Sequence, residues 1–298
     1  MNEPQPITSK TDDAHPLAEG SLRAESQKPV RSRPSLFRAL GKHEPPAAVE
    51  IAGQIYQRAE IFKHDSWAAT ALYENPQGRV VCKFNRQQSI ALFPMRWLGW
   101  LLARRETILL KRLAEMPNVP AYSGEVSIDG RRLNNVVAHE FVPGHPLRKS
   151  AELSDAFFTQ LTDLLSEIHR LEIAYVDLHK RENILVGEDG LPYLIDFQIG
   201  FWLPSWQPAR FCSGWLLKIL QRSDRYHLLK HFAHFRPDQC RADIDQMRPW
   251  IIRMHRKIAV PIRSMRRRLL VALGIRSSSG RASSEANPEI GHRASIEG

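Results

Sequence analysis

The run Tyr175-Val176-Asp177-Leu178-His179-Lys180-Arg181-Glu182-Asn183-Ile184-Leu185-Val186, closed by Tyr193-Leu194-Ile195-Asp196-Phe197, constrains this chain more than any other stretch. Two apolar segments, Asn183–Val186 and Tyr193–Phe197, flank Gly187-Glu188-Asp189-Gly190. That pattern predicts a strand, a tight turn and a second strand. Asp177 and Asn183 fall just before the first strand, and Asp196 ends the second. Such a hairpin gathers two carboxylates and an amide at one edge, an all-oxygen set suited to a hard divalent cation and phosphate.

The rest of the chain can be asked for matching parts. At 298 residues it is long enough for one large domain or two lobes, and 43% hydrophobic residues suffice for a core. A net charge of +10 points to an acidic partner: nucleotide, nucleic acid or anionic lipid. Gln246 to Ser284 holds ten Lys/Arg and no Asp or Glu, as many cations as the whole excess. Cys82, Cys212 and Cys240 lack metal-ligand spacing, which fits a reduced cytosolic setting. No apolar run reaches membrane-spanning length, and the N-terminus lacks the order of a signal peptide, so the protein is expected to stay inside the cell.

Residues 1–47 are rich in Pro, Ser and charge and are expected to be disordered, with order beginning near Val49. Ile51–Tyr56, Glu60–His64, Trp67–Tyr73 and Arg79–Phe84 read as strand material, with Lys83 in the last. Phe93–Leu113 reads as helix, ended by Pro117 and Pro120. Strands are predicted over Tyr122–Asp129 and Arg132–Phe141, and Val142–Leu147 reads as a linker and lobe boundary. Ser154-Asp155 is expected to cap a helix from Ala156 to Leu171. Further helices are predicted at Gly214–Gln221, Arg225–Phe235 and Asp238–Met254, followed by a basic stretch and a tail, 276–298, expected to be disordered.

Phosphoryl transfer asks mainly for positioning and charge neutralisation. Lys83, mid-strand among apolar residues, needs a carboxylate partner, because an unpaired charge there is costly. Glu106 on the following helix is the natural one. With Asp177, Asn183 and Asp196 the order is Lys, Glu, Asp, Asn, Asp.

In this order the motifs resemble the protein-kinase-like superfamily, and within it the bacterial lipopolysaccharide kinases and RIO-like atypical kinases. Val81-Cys82-Lys83 resembles the lysine strand, and Arg105-Glu106 the helix with its paired glutamate. Val137 to Val142 resembles the hinge that receives adenine, Asp177–Asn183 the catalytic loop, and Ile195-Asp196-Phe197 the D-F-G element. The match spans about residues 50 to 235.

There are departures. Tyr175-Val176-Asp177 stands where kinases have H-R-D. Asp177 and Asn183 are six positions apart, one more than in the family, while Asn183 to Asp196 keeps the family spacing of thirteen. His179 is the fallback base if the extra residue displaces Asp177. Gln198 replaces the D-F-G glycine, and Phe62–Ala68, without glycine, occupies the place of the phosphate loop. No A-P-E motif is present.

The resemblance implies an α+β, bilobal protein-kinase-like fold: a small antiparallel-sheet lobe with one helix over residues 48–142, and a mostly helical lobe over 143–275. It implies ATP and Mg2+ as cofactors. Lys83 and Glu106 would form the phosphate-holding pair, and Asp177 would orient or deprotonate the acceptor. Asn183 and Asp196 would be the metal ligands. Ser66, Glu140, Val142 and Asn183, with Lys83, would line the nucleotide site. The acceptor implied is a hydroxyl, a sugar of a lipopolysaccharide core. A RIO-like serine/threonine kinase and a non-catalytic nucleotide-binding pseudokinase stand as alternatives. Trp97, Trp100, Trp202, Trp206 and Trp215 near Arg-rich segments, with the basic C-terminal stretch, suggest a protein working beside an anionic membrane, cytoplasmic or peripheral at its inner face. No nucleic-acid motif is seen, and no nucleic-acid partner is expected.

Overall fold

The computed structural model describes Ser35, 38–89, 94–148 and 152–240, apart from the side chains of Gln207, Ala209 and Cys212. The described residues all fall within one compact unit. The expected C-terminal helices beyond Cys240, and the tail, lie outside them, as does the N-terminal stretch up to 34.

Four strands open the described chain: β1 (Ala48–Ile51), β2 (Gln54–His64), β3 (Ala68–Asn75) and β4 (Gly78–Asn85). Order starts before the expected boundary near Val49. Ala39 is buried, its N–H donates to Asp65 O at 2.7 Å, and Tyr73 donates its hydroxyl to Pro46 O at 2.7 Å. An apolar alanine and a turn with strand partners outweigh the polar composition there.

Helix α1 (Arg96–Arg112) follows, then β5 (Tyr122–Gly124), β6 (Val126–Ile128), β7 (Arg131–Arg132) and β8 (Val136–Glu140). The eight strands pair antiparallel in the order β5-β8-β4-β3-β2-β1-β6-β7. The strand expected over Tyr122–Asp129 is therefore two. β5 pairs with β8 at one edge, and β6 pairs with β1 near the other. Only Glu125 separates them, so the sheet must curl until its two ends approach. Gly124, at φ +127°, makes the bend, a conformation L side chains rarely adopt.

Val49, Ile51, Ala69, Ala71, Tyr73, Cys82, Phe84 and Ala138 pack on one face of this sheet. On the other face lies α1, whose Gly99 comes so close that a Cβ would sit 2.1 Å from Arg86 O. Gly99, Ala103, Glu106, Leu109 and Leu110 form its buried stripe.

The second half begins at β9 (Gly144–Pro146), a short strand within the expected linker, and α2 (Phe157–Arg170). α2 lacks the expected side-chain cap: Ala156 is its N-cap, and the Ser154 carbonyl, not the hydroxyl, accepts from Phe157 N. Its apolar face, Phe157, Phe158, Leu161, Leu164, Leu165 and Ile168, is buried with Leu109, Leu110 and Val137 in one shared core. β10 (Ile173–Ala174), β11 (Ile184–Gly187), β12 (Pro192–Leu194) and β13 (Phe201–Trp202) precede α3 (Gln207–Phe235).

β11 and β12 form the expected hairpin, and β9 adds to its other edge. Gly144 has φ +150°, and a Cβ there would lie 2.3 Å from Val186 O. α3 is one helix of 29 residues where two were predicted. Gln221-Arg222-Ser223-Asp224-Arg225 reads as a polar break, but Asp224 is fully buried and bonded, so the helix runs through. The helix predicted from Asp238 does not begin in Asp238–Cys240, which follow α3 as turn and coil. No described helix is long and apolar enough to cross a membrane.

Candidate functional site

Lys83 enters the site because strand alternation turns it from the buried face of Cys82 and Phe84 towards α1. Its ammonium lies 3.1 Å from Glu106 Oε2 and 2.6 Å from Asp196 Oδ1. Burial disfavours the charged lysine, but the two carboxylates outweigh it and raise its pKa. The carboxylates respond in opposite directions. For Asp196 the pull of Lys83, helped by Lys180 and Lys63, overcomes burial and lowers the pKa. For Glu106 burial wins, and the neighbouring Asp196 adds to it, so its pKa rises to about 7. One lysine shared by a buried and a half-buried carboxylate favours the closer one, Asp196.

Asp177 and Asn183 lie on the loop from β10 to β11. Asn183 donates its side-chain amide to Asp177 Oδ2 at 3.0 Å, and Lys180 Nζ reaches the same oxygen at 2.6 Å. Oδ1 of Asp177 is buried and makes no hydrogen bond, with His179 Nδ1 at 3.3 Å. The extra residue thus leaves Asp177 and Asn183 in direct contact. The hairpin then joins this loop to Asp196: Ile195 N donates to Asn183 O at 3.1 Å.

Backbone strain brackets the site. Val176 has φ +72° and Asp196 φ +63°, and a β-branched residue there is strained. Asp224 holds the first of these. Its Oδ2 accepts from Tyr175 N and its Oδ1 from Val176 N, both at 2.8 Å, while His169 Nε2 lies 3.1 Å from Oδ2. Tyr175 donates its hydroxyl to Ile195 O, tying the loop to the Asp196 segment. His231 Nε2 donates to Leu178 O at 2.7 Å. The sequence reading passed over Asp224, yet it had a signal: the residue falls in the apolar register of Leu217 and Leu228, both buried.

The residues expected to line a nucleotide are arranged unevenly. Ser66 stands in the β2–β3 turn, which Asp65 closes by accepting from Trp67 N at 2.7 Å and Ala68 N at 3.0 Å. The Ser66 carbonyl accepts from Arg86 at 2.6 Å, and no described contact brings Ser66 to Lys83. Glu140 donates its N–H to Ala121 O at 2.9 Å, and its carbonyl accepts from His139 Nδ1 at 2.8 Å. Val142 is half-buried beyond it.

Among the described residues no three His, Cys, Asp or Glu side chains group as a metal cage. The donor set nevertheless fits Mg2+, which takes one or two carboxylates and completes its shell from phosphate and water. Asp196 uses Oδ1 on Lys83, and Asn183 uses its nitrogen on Asp177, which leaves one oxygen of each for a hard cation. A groove of about 580 Å³ between the end of α1 and α2, lined by Arg112, Met116, Gln160 and Leu171 among others, contains none of these residues.

No protein-family model and no curated protein matches the chain. Among solved structures it is similar to the Rio2 kinase from Chaetomium thermophilum, in a complex with ADP, Mg2+ and phosphoaspartate, at 16% identity and a TM-score of 0.43. The match covers 59% of this chain and 55% of that one, so the chain spans about half the length of that structure.

Proposed function

We propose that this chain is an ATP-dependent phosphotransferase acting on a hydroxyl. The observation that carries the reading is Lys83 held between Asp196 at 2.6 Å and Glu106 at 3.1 Å, beside a loop in which Asn183 meets Asp177 at 3.0 Å. Lys83 receives phosphate oxygens, and Glu106 keeps the lysine in place. Asn183 and Asp196 hold Mg2+, which neutralises phosphate charge when bound. Asp177 points Oδ1, the oxygen without a hydrogen bond, at the acceptor hydroxyl and takes its proton.

The acceptor we propose is a sugar of a lipopolysaccharide core, with a protein serine or threonine as the RIO-like alternative. The first rests on the sequence resemblance and on a surface suited to anionic lipid. Phe211 and Trp215 of α3 are 89% and 61% exposed, and Lys218, Arg222 and Arg225 continue the same exposed stripe. Such a stripe suits a peripheral protein at the inner face of a membrane. A non-catalytic reading has one observation in its favour: Oδ2 of Asp177 is already taken by Lys180 at 2.6 Å.

Phosphate transfer from ATP to membrane glycolipid and to protein fractions, with Asp177→Asn as control, tests all three. Glycolipid-dependent turnover lost in Asp177→Asn supports the proposal, and turnover that needs protein instead supports the alternative. Nucleotide binding without any transfer leaves the binding module.

A further inference from the structure

Strand register sets His139 on the same sheet face as Lys83. In the β4–β8 ladder Lys83 stands opposite Val137 and Val81 opposite His139, and residues two apart share a face. Val81, with Leu72 opposite it on β3, gives that face a buried apolar floor between the lysine and the imidazole.

The imidazole is fixed in one tautomer. Nδ1 lies 2.8 Å from the Glu140 carbonyl oxygen, which can only accept, so Nδ1 carries the proton. Burial first, and the nearby Lys83 charge, lower the ring's pKa to about 4, so it is neutral near pH 7. A neutral ring protonated at Nδ1 presents a lone pair at Nε2. No described residue hydrogen-bonds Nε2. The sheet face that carries Lys83 therefore also carries an oriented acceptor, next to an apolar floor.

We infer that His139 reads the base of the bound nucleotide, its Nε2 accepting a hydrogen bond from the exocyclic amino group of a 6-aminopurine. The inference rests on the nucleotide reading of the site given above. A ligand whose phosphates meet Lys83 and whose base lies along Val81 and Leu72 ends at His139. A 6-oxopurine would instead set its oxygen lone pairs against the Nε2 lone pair, a repulsive meeting of two acceptors. His139 is thus a specificity residue that selects the base without touching the transferred phosphate.

ATP and ITP differ only in having an amino or an oxo group at C6, with the N1 proton that follows from it. Calorimetric titration and thermal shift of the full chain with each, in Mg2+, measure the discrimination. Wild type is expected to bind ATP about tenfold more tightly than ITP, the effect of one hydrogen bond made or opposed. In His139→Leu the ratio should fall to about one, mainly by loss of ATP affinity. His139→Gln, whose amide oxygen can accept in the same place, should keep part of the preference. A simple packing role would weaken both nucleotides alike and leave the ratio unmoved.

Equal affinities in wild type, or an unchanged ratio in His139→Leu, overturn the inference. Failure of wild type to bind either nucleotide overturns the nucleotide reading itself, and the subsite with it. If His139→Leu has no folding transition, the wild-type ratio and the Gln variant still decide.

Discussion

Lys83 sits closer to Asp196 than to Glu106, 2.6 Å against 3.1 Å, although Glu106 is the more deeply buried of the two carboxylates. The lysine is the only described cation in contact with Glu106. Its removal leaves the buried Glu106 and the half-buried Asp196 carboxylates without the cation between them. Lys83→Met should therefore cost about 3–5 kcal/mol of stability, the range for breaking a buried pair from one side. Measured above about pH 7, where wild-type Glu106 is charged, Lys83→Met with Glu106→Gln should recover part of it, because the second change removes the carboxylate that must otherwise take up a proton. Urea denaturation of the two single variants and the double gives the coupling energy, and strict additivity would contradict the pairing.

The raised pKa of Glu106 makes stability depend on pH. The folded protein keeps a proton on Glu106 that the unfolded chain releases at its ordinary value of 4.5. The contribution of Glu106 is therefore complete below pH 4.5 and is lost as pH rises through about 7. Asp196, whose pKa is lowered, acts in the opposite sense: its contribution is present at neutral pH and lost on acidification. The difference in melting temperature between wild type and Glu106→Gln should shift against wild type between pH 4.5 and 7. A difference that is flat across this window would show that Glu106 titrates normally.

Asp224 joins α3 to the loop that carries Asp177 through two backbone N–H groups and His169. Asp224→Asn keeps one acceptor but turns an amide donor towards a group that also donates. The expected cost is about 2–4 kcal/mol in stability, in line with an unsatisfied buried partner of a charged group. At temperatures where the variant stays folded, the rate of phosphate transfer should fall while nucleotide affinity changes little. Loss of both together would mean that Asp224 supports the whole fold and not the loop.

The exposed stripe on α3 predicts binding to vesicles that contain phosphatidylglycerol. Lys218→Glu with Arg222→Glu should weaken it by roughly tenfold or more, at about 1 kcal/mol per cation near the surface. Phe211→Ser with Trp215→Ser should weaken it at high salt as well, where charge is screened. Co-sedimentation at two salt concentrations separates these effects, and unchanged binding in both variants removes α3 from the membrane reading.

The parts that were legible in the sequence are those set by local pattern. The β11–β12 hairpin follows from two apolar runs around Gly187-Glu188-Asp189-Gly190, and it brings Asp196 beside Asn183 as expected. The Lys83–Glu106 pair follows from a charge that cannot remain alone in a buried strand. What stayed hidden depends on residues distant in the chain. Asp224 looks like a helix breaker until its carboxylate is seen holding Tyr175 and Val176, almost fifty positions away. The break at Gly124 and Glu125 is set by which strands lie ready on either side, β8 and β1, and no local propensity encodes that. Direct contact of Lys83 with Asp196 likewise depends on how the hairpin meets the sheet.

The single-residue step from β5 to β6 also bears on how the protein behaves in a crowded solution. A sheet of eight strands would ordinarily offer two long open borders, each a template for another chain to pair with. Here the borders are β5 and β7, three and two residues long, the shortest in the sheet apart from β6, itself three. The longest strands, β2, β3 and β4, are all interior. Curling one end of the sheet round to meet the other thus protects it from edge-to-edge aggregation, and lengthening the Glu125 link would open that guarded seam.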